Sequence, residues 1–181
     1  MKIVLAFLLS INIYAADIKS SLLNFYKKKD YEQVCTTGFG NFKDYSNDEE
    51  FITIYAFGCL YADYIDRLAV PITTLKLSPE ARANASYLSV ILMQKKLLFH
   101  SLIDGYDISS LNLPTTDYIL SKVFDLYSKE AKPEKKLFYT FVDEADSSIT
   151  YKLYLINDQK LNKMVIEKFQ NSVSVEKHIY W

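Results

Sequence analysis

The stretch from Ser78 to Gly105 constrains the fold most, because it carries its own helix start and stop signals. Ser78 is a favoured N-cap residue, and Pro79 suits the first helical position, where no N–H is needed. Gly105 can adopt the left-handed conformation that closes a helix. The enclosed helix would be about 39 Å long at 1.5 Å per residue. We therefore expect one long helix to organise the chain.

One narrow strip of this helix is polar, and most of the remaining surface is apolar or small. Alternating spacings of four and three residues define the strip: Arg82, Ser86, Ser89, Met93, Lys96 and His100. An apolar arc as wide as the rest is typical of a helix that packs on several sides. We expect this helix to be the centre of a helical bundle.

Capping signals and 3.6-residue periodicity predict about four more helices. Asp30 followed by Gln33 can start a helix that Gly38 or Gly40 ends, and the run from Ser46 to Glu49 resembles a capping box. Thr115 or Thr116 can cap the last helix. The predicted helices are 17–29, 30–40, 46–65 and 115–128, with a further turn or two around 67–75 that Pro71 should end or kink.

The hydrophobic period changes from 3.6 to 2 after a charged stretch, 129–136, around Pro133. Four strands are expected beyond it: 137–142, 150–156, 163–169 and 173–181. Connections this short make neighbouring strands antiparallel. In the last strand we expect the apolar residues to share one face, opposite Ser174, Glu176, His178 and Tyr180: Val173, Val175, Ile179 and Trp181. The predicted fold is α+β, an N-terminal bundle of about five helices followed by a C-terminal four-stranded antiparallel β-meander.

Residues 1–16 have the proportions of a secretory signal peptide: a positive start, an apolar run from Ile3 to Ile13, and small residues at Ala15 and Ala16. The apolar run is too short for a stable bilayer anchor. A buried N-terminal helix is the alternative. We expect a periplasmic, exported protein, at most peripheral to the membrane, with the bundle over 17–130 and the sheet over 131–181.

The chain has two cysteines, Cys35 and Cys59. An even count in an oxidising compartment suggests one disulfide, worth on the order of 3.5 kcal/mol for a loop of this length. Two buried free thiols are the alternative. A zinc site would need both cysteines with His100 and His178, which lack metal-ligand spacing, so we expect no metal and no cofactor. Gly58 beside Cys59 leaves room for the second predicted helix to approach closely.

Charge argues against nucleic acid as a partner. The net charge is −1, and 19 of the 21 basic residues are Lys, because only Arg67 and Arg82 carry a guanidinium. Bidentate recognition of phosphates and bases favours Arg over Lys. We interpret the cluster of lysines at 27–29 as a solvated helix end.

The sequence contains no phosphate-binding Gly-rich loop, nucleophile elbow, zinc-protease helix or calcium loop. His100 lies on the polar strip and His178 in a terminal strand, where an ordinary hydrogen-bonded histidine is the expectation for both. A catalytic frame is therefore not predicted, and we do not expect an enzyme.

Two pairs of carboxylates have spacings that allow acid and base roles. Asp63 and Asp66 would lie one turn apart on a helix, but Arg67 follows Asp63 by four residues and favours an ion pair. Asp104 and Asp107 flank Gly105 and are expected to serve the turn.

Aromatic content is high, with 15 Tyr and 11 Phe in 181 residues. Tyr is favoured where a surface must be both apolar and hydrated, as at protein interfaces. A Tyr-rich core is an equally good interpretation. The outer strands of the meander would also leave open edges, which can accept a strand from another protein.

Three segments, YEQVCTTGF (31–39), AFGCLYADYIDRL (56–68) and the long run from Ala81 to Phe124, resemble a group of small exported proteins of epsilonproteobacteria. Some of these are accessory components of the periplasmic disks around the flagellar motor, of the paralysed-flagellum type. The resemblance implies a non-catalytic scaffold held in a large assembly. It assigns no functional residues, but the group pairs adjacent helices through two cysteines.

Two functional hypotheses follow. The first is a periplasmic structural protein with a disulfide-stapled bundle and a β-tail used for docking into a larger envelope assembly. Its specific form is a flagellar motor disk subunit, and its partners are other envelope proteins. The alternative is a periplasmic binding module for a small ligand or peptide, with a hydrolase as its weaker form. It would use a cleft between bundle and sheet near Asp104, Tyr106 and Asp107.

Overall fold

The computed structural model describes residues 18–130, 136–158 and 161–181. Helices come first and a four-stranded antiparallel sheet follows, which confirms the predicted α+β layout. The expected signal peptide lies outside the described residues. The helices are α1 (18–27), α2 (Tyr31–Asn41), α3 (Glu49–Tyr61), a 3-10 turn (Ile65–Leu68), α4 (Ala69–Thr74), α5 (Pro79–Asp104) and α6 (Ile119–Ser128). The strands are β1 (Phe138–Val142), β2 (Ile149–Asp158), β3 (Leu161–Gln170) and β4 (Val173–Tyr180).

The chain packs as two compact units, of which the first ends at Ala85 and the second runs from Ser86 to Trp181. The division falls inside α5. The composition change at 129–136, used to place a boundary between bundle and sheet, lies within the second unit, and residues 131–135 are outside the described part of the chain.

In the first unit, aspartate side chains begin both α2 and α3. Asp30 Oδ1 accepts the Gln33 N–H at 3.4 Å, as the sequence predicted. Asp48 Oδ1 accepts the Phe51 N–H at 3.1 Å, so the N-cap of α3 lies two residues later than expected at Ser46. The Ser46 hydroxyl donates to the Lys43 carbonyl at 3.3 Å.

Glycines let α2 and α3 pack against each other. A Cβ at Gly58 would meet the Val34 side chain, and one at Gly38 would meet the ring of Tyr55. The close approach predicted at Gly58 is therefore confirmed. The Cα atoms of Cys35 and Cys59 lie 4.6 Å apart, and a disulfide joins them at this contact.

The long helix α5 has the predicted bounds, 26 residues from Pro79 to Asp104. Ser78 Oγ accepts the Ala81 N–H at 3.0 Å, which confirms the N-cap. Gly105 has a φ of +73° and donates its N–H to the Ser101 carbonyl at 2.9 Å. Neither α5 nor any other described helix has the length and apolar character needed to cross a membrane.

Two buried polar side chains on α5 were not anticipated. Gln94 and Lys95 lie off the predicted polar strip, yet they are 0% and 2% exposed. Gln94 Nε2 donates to the Pro114 carbonyl at 2.9 Å, and Lys95 Nζ donates to the Trp181 carbonyl at 2.6 Å. These bonds connect α5 to the loop before α6 and to the residue after β4, which makes burial of the polar groups tolerable.

The sheet of the second unit has the order β1-β2-β3-β4, with every neighbouring pair antiparallel. We call the buried side of the sheet its inner face and the other side its outer face. The ring of Tyr127 on α6 lies 5.0 Å from Tyr139 and 6.5 Å from Phe141, both on the inner face. The other buried residues of this face are Tyr151, Leu153, Met164, Ile166 and Tyr180.

The prediction of a single apolar face on β4 holds for Ile179, which lies opposite the side of Glu176, His178 and Tyr180, and fails at Val173 and Val175. Tyr180 is fully buried, whereas Val173, Val175 and Trp181 are 63%, 53% and 47% exposed. Lys168 pairs with Glu176 but Phe169 pairs with Ser174, so Val175 is an extra residue in a β-bulge. The bulge shifts the alternation by one position, which a period-2 pattern cannot anticipate.

Candidate functional site

Four aromatic rings gather on the helices of the first unit. We call this set, Tyr26, Tyr31, Phe57 and Tyr61, the tyrosine cluster. The ring centroids of Tyr31 and Tyr61 are 5.0 Å apart, those of Tyr26 and Tyr31 are 5.6 Å apart, and those of Phe57 and Tyr61 are 6.1 Å apart. Tyr61 is 44% exposed, so the cluster reaches the surface.

Local structure explains why these rings meet. Lys29 has a φ of +59°, which allows the tight turn between α1 and α2 and brings Tyr26 next to Tyr31. Phe57 and Tyr61 are four residues apart on α3 and therefore share one face. Burial, with smaller contributions from Tyr61 and Tyr31, raises the pKa of Tyr26 above its usual value. Its hydroxyl stays protonated at neutral pH and can donate a hydrogen bond.

A second aromatic group surrounds Arg67, and we call it the arginine stack. The guanidinium carbon lies 4.7 Å from the ring centroid of Tyr64 and 5.5 Å from that of Phe39, which is 57% exposed. Arg67 Nη1 is also 3.7 Å from Cys35 Sγ. The Tyr64 hydroxyl donates to Glu32 at 2.9 Å, and this bond, with some burial, raises the pKa of Tyr64.

The carboxylate pair expected at Asp63 and Asp66 is not arranged along one helix. Helix α3 ends at Tyr61, and Asp63 has a φ of +63°. Asp66 belongs to the following 3-10 turn. The break in the helix means that the i, i+3 spacing no longer places the two side chains on one helical face. The Arg67 guanidinium, expected to answer one of these acids, lies over aromatic rings.

The two cysteines that the sequence singled out form a disulfide with both residues fully buried. Bonded sulfurs are not available as thiolate ligands, so they cannot form the zinc site with His100 and His178 that was considered above. Among the described residues, no three His, Cys, Asp or Glu side chains are grouped as a metal site. The disulfide instead fixes the helices that carry Tyr31, Phe57 and Tyr61.

The residues considered for a ligand cleft make local contacts. His100 Nδ1 is 2.7 Å from Asp104 Oδ2, and its ring stacks on Tyr106 at 4.8 Å. Asp107 Oδ1 accepts the Ser109 N–H at 2.9 Å, which confirms its role in the turn. His178 Nε2 lies 2.9 Å from Glu176 Oε1 on β4.

A cavity of about 240 Å³ lies beside this loop, and neither Asp104, Tyr106 nor Asp107 lines it. Residues 109–113 form one wall, and α6 contributes Phe124, Asp125 and Ser128, with Lys129 just beyond. Lys129 Nζ is 2.8 Å from Asp125 and 2.7 Å from Glu144, and these carboxylates raise its pKa. Sequence reasoning missed this cavity, because only packing of the loop on α6 creates it.

An open depression in the first unit, about 570 Å³, is lined by three acids, Asp44, Asp48 and Glu49. Glu49 accepts the backbone N–H groups of Lys76, Leu77 and Ser78 at 2.6 to 3.0 Å. Asp48 pairs with Lys19 at 2.8 Å. Partial burial would raise the pKa of Glu49, but the Leu77 N–H and its neighbours hold it below the usual value. Asp48 and Glu49 therefore serve the structure.

The outer face of the sheet carries exposed aromatic and cationic side chains. Lys152 Nζ lies 4.4 Å from the ring centroid of Phe138 and 5.5 Å from that of Tyr154. Lys163 Nζ lies 5.8 Å from the ring of Trp181. Phe138 and Trp181 are 49% and 47% exposed. Mixed apolar and polar surfaces of this kind are typical of protein contacts.

These arrangements suit binding better than group transfer. Tyrosine, phenylalanine and arginine supply contact area, hydrogen bonds and cation–π interactions, and these residue types are enriched at binding hot spots. The disulfide joins the helices that carry Tyr31, Phe39, Phe57 and Tyr61, so these rings are held in place before any partner arrives. No protein-family model, curated protein or solved structure matches this chain.

Proposed function

We propose that this protein is a periplasmic structural protein that docks into a larger envelope assembly through the tyrosine cluster. The observation that carries the proposal is the half-exposed ring of Tyr61, packed against Tyr31 and Phe57 on helices that the disulfide fixes. A pre-ordered aromatic surface loses little side-chain entropy when it binds. Such a surface suits a permanent scaffold contact.

The disulfide also supports the proposed compartment. Disulfides persist in the periplasm and in other oxidising compartments, and cytosolic reductants remove most of them. The Cys35–Cys59 bond is compatible with export. The proposed signal peptide at 1–16 would provide the route.

The partner in this proposal is another protein of the cell envelope. The resemblance to accessory proteins of flagellar motor disks makes a disk subunit its specific form. The role is non-catalytic, and the scarcity of Arg supports a protein partner over a nucleic acid.

A photo-crosslinking amino acid placed at Tyr61 tests the proposal in cells. Tyr106 is the matched control, because it is an equally exposed tyrosine, 45% against 44%, in the second unit. We expect crosslinks to one envelope protein from position 61 and none to that protein from position 106. The crosslinked protein is identified by mass spectrometry.

Alanine variants at the same two positions complete the test. Tyr61→Ala should release the protein from the envelope fraction and impair motility if the assembly is the flagellar disk, whereas Tyr106→Ala should do neither. Normal motility in the Tyr61→Ala strain would refute the flagellar form. Loss of envelope association with Tyr106→Ala alone would refute docking through the tyrosine cluster.

The cavity beside α6 favours a second candidate function, a binding module for a small ligand or peptide. Its lining mixes hydroxyl, amide and charged side chains with Leu111 and Phe124, as ligand sites do. Filling the cavity with Ser128→Phe should abolish any ligand-induced rise in melting temperature measured against a panel of periplasmic solutes. If no solute raises the melting temperature of the wild-type protein, this candidate fails.

A further inference from the structure

We propose that two copies of this chain pair through the outer edges of their β1 strands, antiparallel and centred on Thr140, to form one continuous eight-stranded sheet. This goes beyond the proposed function, since it concerns the second unit and a partner identical to the chain itself. It holds whether or not the tyrosine cluster binds another protein.

The outer edge of β1 has backbone groups ready for a partner. The Asp143 N–H donates to the Ile149 carbonyl at 3.0 Å, which fixes the phase of the β1–β2 ladder. In an antiparallel ladder every second residue bonds to the neighbour, so 139 and 141 face β2. Phe138, Thr140 and Val142 therefore direct N–H and C=O groups away from β2. No described strand pairs with them.

The sequence of β1 is complementary to itself in one register. With Thr140 at the twofold axis, Thr140 lies opposite its own copy, and Phe138 lies opposite Val142 of the second copy. These are the residues whose backbone groups point outward, so each pair can exchange both N–H···O=C bonds. Tyr139 then lies opposite the second copy's Phe141. Aromatic and Thr–Thr cross-strand pairs are favourable, and β1 contains no charged residue.

Charges at the two ends of β1 favour the same register. Pairing centred on Thr140 places Lys136 opposite Glu144 of the second copy, at both ends of the interface. Lys136 and Glu144 are about half and two thirds exposed, 51% and 66%, while their side chains contact Glu130 and Lys129. Opposite charges can approach here without burial, which supports the antiparallel orientation over a parallel one.

The other edge of the sheet, on β4, is protected against the same pairing. Centring two β4 strands on Lys177 sets Lys177 against its own copy, and centring them on Glu176 opposes two carboxylates. Like charges directly opposite are destabilising. The bulge at Val175 also interrupts this edge, and bulges of this kind commonly protect edge strands against pairing. Both registers that pair the full length of β4 therefore oppose like charges, whereas the register of β1 centred on Thr140 has no such repulsion.

The resulting contact is a twofold, isologous interface in which the same patch serves both copies. A five-residue strand alone buries less than a standard stable interface, so exposed Leu137 and the outer-face side chains of Phe138 and Val142 must contribute. We therefore expect a concentration-dependent dimer rather than a permanent one.

Charges introduced at the twofold axis test this in the full chain. Thr140→Lys and Thr140→Glu should each weaken dimerisation by up to about fivefold, because each opposes two like charges. An equimolar mixture of the two variants should dimerise at least as well as wild type. Sedimentation velocity over a range of concentrations measures all three. Val175→Lys, at an exposed position on the β4 edge, is the matched control and should not change the dimer.

Thr140→Pro is the stronger variant. It removes the N–H that makes the central bonds in both copies, and the loss of two such bonds should weaken the dimer on the order of 30-fold. The β1–β2 ladder keeps its bonds, since this N–H points outward. Circular dichroism verifies that the sheet remains folded.

Thr140→Cys gives a readout that does not depend on stability. Opposed Cα atoms in a hydrogen-bonded pair are about 5.5 Å apart, within disulfide range. Mild oxidation should link Cys variants at 140 into dimers much faster than Val175→Cys variants. A wild-type protein that stays monomeric at all concentrations, equal crosslinking at the two positions, or a mixture of Lys and Glu variants that fails to recover would each overturn the proposal.

Discussion

The tyrosine cluster of the first unit and two tyrosines of the second unit differ in burial. In the first unit Tyr26, Tyr31 and Tyr61 form a cluster that reaches the surface. In the second unit Tyr127 and Tyr151 are 1% and 2% exposed, and their hydroxyls pair with Ser101 at 3.1 Å and Asp143 at 2.7 Å. The sequence left open whether the tyrosines belong to a surface or a core, and both interpretations hold: the tyrosine cluster reaches the surface, whereas Tyr55, Tyr127 and Tyr151 lie in the core.

The difference follows from what else holds each unit together. Helices α2 and α3 are joined by a disulfide and by glycine contacts at Gly38 and Gly58, so the surface tyrosines are not needed for the core. The sheet has no covalent link among its described residues. It fills its inner face with large rings instead, and a buried Tyr hydroxyl then needs a partner.

The largest expected effect comes from removing the disulfide. The double variant Cys35→Ala, Cys59→Ala should lose about 3.5 kcal/mol of unfolding free energy, because the loop of 24 residues is no longer closed in the unfolded state. Hydrogen exchange should report the loss in α2 and α3 and leave β2 and β3 protected. Equal loss of protection in both units would show that the disulfide does not stabilise the first unit more than the second. Wild-type protein in reductant is the control.

A methyl group added at the contact between α2 and α3 should have the next largest effect. Gly58→Ala should cost about 1–3 kcal/mol, because the added methyl meets the Val34 side chain and the helices must separate. Gly40→Ala is the matched control in α2, since nothing lies within 4 Å of a Cβ at that position. It should be neutral or stabilise by about 0.5–1 kcal/mol. Urea unfolding measures both, and equal effects would contradict the close contact.

High pH tests the burial of Tyr127 in the second unit, through the pH dependence of stability. Burial raises the pKa of Tyr127 to about 12, above the value of about 10 in the unfolded chain. Its stabilising contribution is therefore complete below pH 10 and is lost as the pH rises towards 12, because the unfolded state releases the proton first. Between pH 9 and 11.5 the ionisation of Tyr127 should lower the unfolding free energy of the wild-type protein by about 2 kcal/mol.

Tyr127→Phe isolates that contribution. The variant should lack this part of the alkaline loss, so the difference in unfolding free energy between it and wild type should shift in its favour as the pH rises. Parallel profiles for wild type and Tyr127→Phe would mean that Tyr127 ionises as easily in the folded protein as in the unfolded chain.

The smallest expected effect compares two buried hydroxyls at neutral pH. Tyr151→Phe should cost about 1 kcal/mol, because Asp143 loses the hydroxyl that donates to it. Tyr55 is equally buried, but its hydroxyl has no hydrogen-bond partner in the structure. Tyr55→Phe should therefore be neutral or slightly stabilising. Thermal unfolding measures the stability of both variants. A larger loss of stability for Tyr55→Phe would show that the Tyr55 hydroxyl has a hydrogen-bond partner.

Local signals were sufficient wherever a short segment decides its own structure. Ser78, Pro79 and Gly105 defined both ends of α5, since caps depend on residues within one turn. The change from a period of 3.6 to 2 predicted four strands and their order, because short connections leave antiparallel neighbours as the simple arrangement. With two cysteines in the chain, only one intramolecular pairing was available.

The candidate surfaces were less predictable from local signals. The abundance of Tyr indicated an interaction surface, but which rings meet depends on the turn at Lys29 and on the packing of α2 against α3. The partners of Arg67 could not be read from its spacing to Asp63, because α3 ends at Tyr61 and the two residues do not share a continuous helix. The cavity beside α6 depends on a loop whose path has no periodic signal.

The sequence by itself determined the helices and strands, their order, and the one disulfide that two cysteines can form. Tertiary structure decided the rest: burial of Gln94 and Lys95 on α5, the bulge at Val175 that puts Val173 and Ile179 on opposite faces, and which tyrosines cluster at the surface and which pack in the core. The physical reason is the distance along the sequence over which each effect acts. Caps, turns and periodicity act within a few residues, whereas burial and register depend on residues far along the chain that meet only after folding.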